Sequence, residues 1–250
     1  MSGWALAGLY GLLSASGLMA GACAGLILRM RHRPVASVTA IGVGLLIAAA
    51  SLYLISGALE SVTAMVVASG AIAGAAVFSL LNLALERWEA HKRKRCGECV
   101  RQPSESEMPG SGTAIAVGSL LDAVPEALII GAAVAGGGGA VPPLALIAAF
   151  AFGNFAEGLS SSSGMRNAGR SRQYVLSVWL GATLITAIAA MLGYLFFSSA
   201  GVERGWVESF AAGAVIALVV ETLAPEAVDG RPGFTGLLAM LGFAALLLAL

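Results

Sequence analysis

The chain has 250 residues, of which 58% are hydrophobic and only 11% charged, and its formal net charge is zero. A soluble domain carries about 25% charged residues, so the composition excludes a soluble globular protein and points to a single integral membrane domain spanning residues 1–250. Zero net charge leaves no general attraction for nucleic acid, and three cysteines, Cys23, Cys96 and Cys99, make no disulfide framework.

Eight apolar runs follow one another along the chain, and the expected fold is all-α and polytopic, with eight transmembrane helices. The first, about residues 4–28, lacks a basic start and is too long for a signal-peptide core, so it reads as a retained span. Its Gly17, Gly21 and Gly25 have the small-xxx-small spacing that favours close helix contact. The second run covers about 36–57. A short connector at 58–60 leads to the third, about 61–85, where Gly70 and Gly74 repeat that spacing. A polar loop at about 86–112 follows. The fourth run, 113–134, and the fifth, 143–163, are joined by Gly136–Gly139 and Pro142–Pro143. The sixth covers about 174–197, the seventh 206–225 and the eighth 234–250.

Basic residues set the expected orientation. Arg29, Arg31 and Arg33 follow run one; Arg87, Lys92, Arg93, Lys94, Arg95 and Arg101 follow run three. Arg166, Arg170 and Arg172 follow run five, Arg231 follows run seven, and Arg204 alone lies on the other side. The positive-inside rule makes the crowded side cytoplasmic and places both termini outside, in what is expected to be a bacterial inner membrane.

Runs four and five carry ionisable groups near their middles, where a carboxylate costs roughly 2.5–3.5 kcal/mol on the insertion scale. Asp122 and Glu126 are four residues apart and share a helix face, and Asn154 and Glu157, three apart, do likewise. Pro125 removes a helix hydrogen bond, and Gly153 and Gly158 border the second pair, which reads as backbone opening its carbonyls toward a ligand. No Lys or Arg lies inside a run, so these acids are protonated or hold a cation. Glu60 at the outer end of run two, and Glu221 and Glu226 at the inner end of run seven, extend an acidic route across the bilayer that suits a cation. Oxygen ligands alone suit hard ions such as Mg²⁺, Mn²⁺ or Ca²⁺, and both histidines, His32 and His91, fall in loops. The competing reading is that such polar residues only bond neighbouring helices.

Other signals are weaker. Cys96 and Cys99, a C-x-x-C pair, with His91 form a candidate cytosolic zinc site one ligand short of a tetrahedron; the alternative is a linker whose basic residues touch anionic lipid. Ser160–Ser163 reads as a wet lining below Glu157, because no His or Lys within a run could serve as base for an intramembrane serine hydrolase. Gly136–Gly139 lacks the Lys-Ser/Thr of a phosphate cradle, and no ATP-binding motif is present, so an enzyme is not expected.

At Asp122–Ala123–Val124–Pro125–Glu126–Ala127 and Gly153–Asn154–Phe155–Ala156–Glu157–Gly158 the chain resembles the ZIP family of divalent-metal permeases, whose fourth span carries His-Asn-x-Pro-Glu-Gly and fifth a related His-x-x-Pro-Glu-Gly. The likeness continues through Leu159–Gly164 and through 213–227, ending in Ala224–Pro225–Glu226–Ala227. It implies eight spans in a 3+2+3 arrangement, outward termini, a cytoplasmic loop after span three, and homodimers in some members. It also implies transport of a divalent ion of the Zn, Mn, Fe or Cd class, with no tightly bound cofactor, through ligands Asp122, Glu126, Asn154 and Glu157. The chain departs from the family where Asp122 and Gly153 replace histidines, where Ala123 replaces an asparagine, and where span six lacks a carboxylate. Zinc preference and a second metal site therefore stay open. The alternative function is a non-transporting membrane protein that uses these acids for helix packing or metal sensing.

Overall fold

The structure is a computed structural model and describes residues 2–28, 32–89, 120, 123–124, 126–128, 130–131, 133–135, 144–199, 203–230 and 233–249. Among them there are helices and no strands. Helix α1 is Gly3–Ile27. Helix α2 is His32–Ala48, continued without a break by a π-helical stretch, Ala49–Ile55, and a final Ser56–Ser61. Helix α3 is Ala64–Glu89, and α4 is a short apolar helix described in part over Glu126–Ala135. Helices α5, Leu144–Asn167, and α6, Arg172–Ser199, follow. Helix α7, Arg204–Leu218, runs on through a second π-helical stretch, Val219–Leu223, into Ala224–Gly230, and α8 is Thr235–Ala249.

Five of these, α1, α2, α3, α6 and α7, are long and apolar enough to cross a membrane, which is the make-up of an integral membrane protein. Their outer faces are apolar. On α6, Leu180, Leu184, Ile188 and Leu192 repeat every four residues and are all exposed, while Thr183, Thr186 and Ala190 face inward. Helix α5 has 24 residues, the length of a span, but carries Asn154, Glu157 and four serines. All six are buried, so other helices surround α5 on the faces that carry them.

Glycines decide which helices touch. A Cβ on Gly17 or Gly21 of α1 would collide with the carbonyl oxygens of Ala151 and Phe155 on α5, and one on Gly25 would lie 2.7 Å from the oxygen of Leu159. Gly158 of α5 meets Leu18 of α1 in the same way, so the two backbones are in direct contact. Gly74 of α3 and Gly213 of α7 meet Phe210 and Ala71, which draws α3 onto α7. Gly44 of α2 and Gly242 of α8 meet Ala239 and Ile41. Without a hydrophobic force between helices in lipid, this close approach is what makes dispersion and Cα–H···O contacts sufficient to hold them. One packed set is therefore α1 with α5 and α6, and another is α2 with α8 and α7 with α3. Helix α2 also touches α5 and joins the two sets. Two clusters of buried residues form the core: one around Leu46, Leu54, Val215 and Leu218 that also takes in Phe150 of α5 and Ala190 of α6 and so bridges the two sets, the other around Leu18, Leu26, Met165 and Trp179 within the α1 set.

Two boundaries differ from the sequence-based expectation. The chain breaks between α2 and α3 at Val62–Thr63, not at 58–60, because Ser56–Ser61 stays helical. Helix α7 also continues past Pro225. Proline has no N–H to give the Glu221 carbonyl, and the ladder widens just before it, with the Ala224 N–H reaching Val219 O, five residues back. The expected loop at 86–112 lies largely outside the described residues.

Candidate functional site

Helix α5 presents Asn154 and Glu157 three residues apart, 2% and 5% exposed, and α4 brings Glu126, 3% exposed, to the same place. The Asn154 amide Nδ2 donates to Glu126 Oε2 at 3.2 Å, which ties α4 to α5. It also donates to Ser14 O at 3.3 Å and approaches Ser14 Oγ at 3.4 Å. Ser14 is fully buried on α1, so the polar centre is built from three helices. Sequence reasoning passed over Ser14. The signal was there: a serine three residues before Gly17 lies on the glycine stripe, and that stripe faces α5.

The glycines beside this centre act differently from the expectation. Helix α5 is regular through Gly153 and Gly158, with no opened carbonyls. A Cβ on Gly153 would lie 3.2 Å from the Leu46 side chain of α2, and one on Gly158 would strike Leu18 of α1. They let neighbouring helices close over Asn154 and Glu157, which is why these polar groups are buried.

Below Glu157 the serine run Ser160–Ser163 is buried throughout. Ser160 Oγ donates to Glu226, itself 5% exposed, linking α5 to the tail of α7. Glu221 behaves otherwise: it is exposed and accepts from Ser79 Oγ and from Asn82 Nδ2 at 2.9 Å, both on α3. The two acids at the end of α7 thus bond different helices, and Glu226 is the one joined to α5. Glu60 is exposed in the last turn of the α2 continuation, Ser56–Ser61, which packs against α7.

Glu208 is a further residue that sequence reasoning missed. It is 4% exposed, and its Oε1 accepts from Arg204 Nε at 2.6 Å. Opposite charges four residues apart on a helix were the available signal. The pairing also means that Arg204, the exception to the basic-residue asymmetry, is neutralised where it stands.

Asp122, Pro125, His91, Cys96 and Cys99 lie outside the described residues. Among the described residues no group of three or more His, Cys, Asp or Glu side chains gathers where it could hold a metal ion. What is brought together is Glu126, Asn154 and Ser14, with Glu157 one turn further along α5. The chain matches no family model and no curated protein.

Proposed function

We propose that the protein is a divalent-cation permease of the ZIP type. The supporting observation is the buried contact between Glu126 of α4 and Asn154 of α5, with Glu157 on the same helix face. Buried carboxylates in a membrane helix bundle cost several kcal/mol unless paired, and a divalent cation offsets both their repulsion and their loss of water. In this reading Asp122, Glu126, Asn154 and Glu157 are the ligands, in an eight-span 3+2+3 arrangement with both termini outside and the 86–112 loop in the cytoplasm of a bacterial inner membrane. Oxygen donors favour Mn²⁺ and related hard ions, with Zn²⁺, Fe²⁺ and Cd²⁺ as further cargo. Glu60 serves the outer mouth, and Glu221 and Glu226 the inner. His91, Cys96 and Cys99 remain a candidate site for cytosolic zinc.

A second reading has an observation of its own. Asn154 already satisfies one oxygen of Glu126, as a purely structural polar pair would. Uptake by purified protein in vesicles loaded with a metal-sensitive dye separates the two. The permease reading expects Mn²⁺, Cd²⁺ or Zn²⁺ entry that Glu126→Gln or Glu157→Gln abolishes. No uptake, together with a melting temperature indifferent to millimolar amounts of these ions, would refute it.

A further inference from the structure

The Asn154 side chain is used asymmetrically. Its Nδ2 faces three acceptors, Ser14 O, Ser14 Oγ and Glu126 Oε2, while its Oδ1 accepts no hydrogen bond among the described residues. The orientation is chemically fixed. With the amide turned over, Oδ1 would face the Ser14 backbone carbonyl, which cannot donate to it. An amide oxygen on a residue 2% exposed, with no donor among the described residues, is available as a ligand atom. Two N–H bonds are shared among three acceptors, so Ser14 still holds the amide when Glu126 gives its oxygen to a cation. Thr183 of α6 donates to the neighbouring Ala15 O at 3.3 Å, so this turn of α1 is gripped from α6 as well.

We infer that α1 forms a third wall of the cation site and that Ser14 is the positioning residue that turns Asn154 Oδ1 to the metal. This rests on the permease reading for its ligand, a divalent cation, but the Ser14–Asn154 contact can be read without one. The chain contains three asparagines, Asn82, Asn154 and Asn167, so protein labelled with ¹⁵N at asparagine gives three side-chain amide pairs, and Asn154→Ala identifies the relevant one. Ser14→Ala, and Ser14→Cys as a variant of similar volume with a poor acceptor, should move the Asn154 pair and leave the other two in place. Titrated Mn²⁺, a paramagnetic ion, should broaden the Asn154 pair in the unmutated protein, and the Ser14 variants should need about 3- to 10-fold more, the worth of one ordinary hydrogen bond. In the Asn154→Ala background, Ser14→Ala should change Mn²⁺ affinity no further, since it acts through that amide.

An Asn154 pair unmoved by both Ser14 variants overturns the inference. So does an unchanged Mn²⁺ affinity with a lowered unfolding midpoint, which marks Ser14 as structural only. An Asn154 pair that responds to Ser14→Ala but never to Mn²⁺ overturns the metal role and tells against the permease reading, while leaving the contact itself established.

Discussion

Gly17→Ala tests whether backbone contact between α1 and α5 assembles the site. A Cβ at Gly17 would lie 2.8 Å from the Ala151 carbonyl carbon, 3.0 Å from the Phe155 nitrogen, and nearer still to the Ala151 oxygen. All three are main-chain atoms that no rotamer change can remove. Carbon contacts relax at about 3.5–4.0 Å, so α1 must retreat by roughly 1 Å. The Asn154 contacts to Ser14, 3.3 and 3.4 Å, are already at the long end of hydrogen bonding, and such a retreat breaks them. Overpacking of this kind costs about 1–3 kcal/mol, and exchanging glycine for alanine within a helix returns about 1 kcal/mol. Loss of the Ser14 contact adds about 1 kcal/mol, for a net destabilisation of about 1–3 kcal/mol. Gly181 on α6 is the control, since a Cβ there meets nothing within 4 Å. Gly181→Ala should leave stability unchanged or slightly higher. Equilibrium unfolding in mixed detergent micelles reads both variants. A Gly17→Ala protein as stable as the control, with the Asn154 amide resonance in place, would refute the argument.

Glu126→Gln and Glu157→Gln should abolish metal uptake yet leave the metal-free protein as stable as before or more so; a structural acid would instead lose a partner and about 1 kcal/mol, so the sign of the change in unfolding free energy decides. Glu221→Gln and Glu60→Gln should slow uptake mildly, because both side chains are exposed and water shares their solvation; a loss of equilibrium binding as large as that of Glu126→Gln would make one of them a direct ligand. Arg204→Met should destabilise the protein by about 1–3 kcal/mol, leaving the Glu208 carboxylate buried without its cation, whereas the double variant Arg204→Met/Glu208→Gln should recover most of the loss; equal stability of single and double variants contradicts this. An impermeant thiol reagent added outside intact cells should miss Cys96 and Cys99, and labelling of either reverses the proposed orientation.

Much of the architecture was legible because a bilayer restricts what a sequence can do. Length and apolarity specify spans directly, since about twenty residues are needed to cross and backbone groups in lipid must be bonded internally. The runs read for α1, α3 and α6 agree with the helices to within a few residues. Misplaced ends arose where local rules compete with neighbours. Pro225 reads as a stop, yet the π-helical stretch before it absorbs the missing donor and α7 continues. Acids in apolar runs were equally visible, because their cost marks them whatever surrounds them.

Pairing between distant helices was not visible in this way. Gly17, Gly21 and Gly25 announce a close contact but not its partner, since a stripe of small residues fits any backbone that can approach it; only the assembled helices show α5 there. The same holds for Ser14, an unremarkable serine until that contact places it against Asn154, and for Glu226, which reads like Glu221 but bonds α5 while Glu221 bonds α3. The sequence by itself determined which residues are costly in a membrane and on which helix face each one lies, because both follow from composition and the helical period. The tertiary structure alone decided which of those faces meet, because that depends on how backbones more than a hundred residues apart fit together.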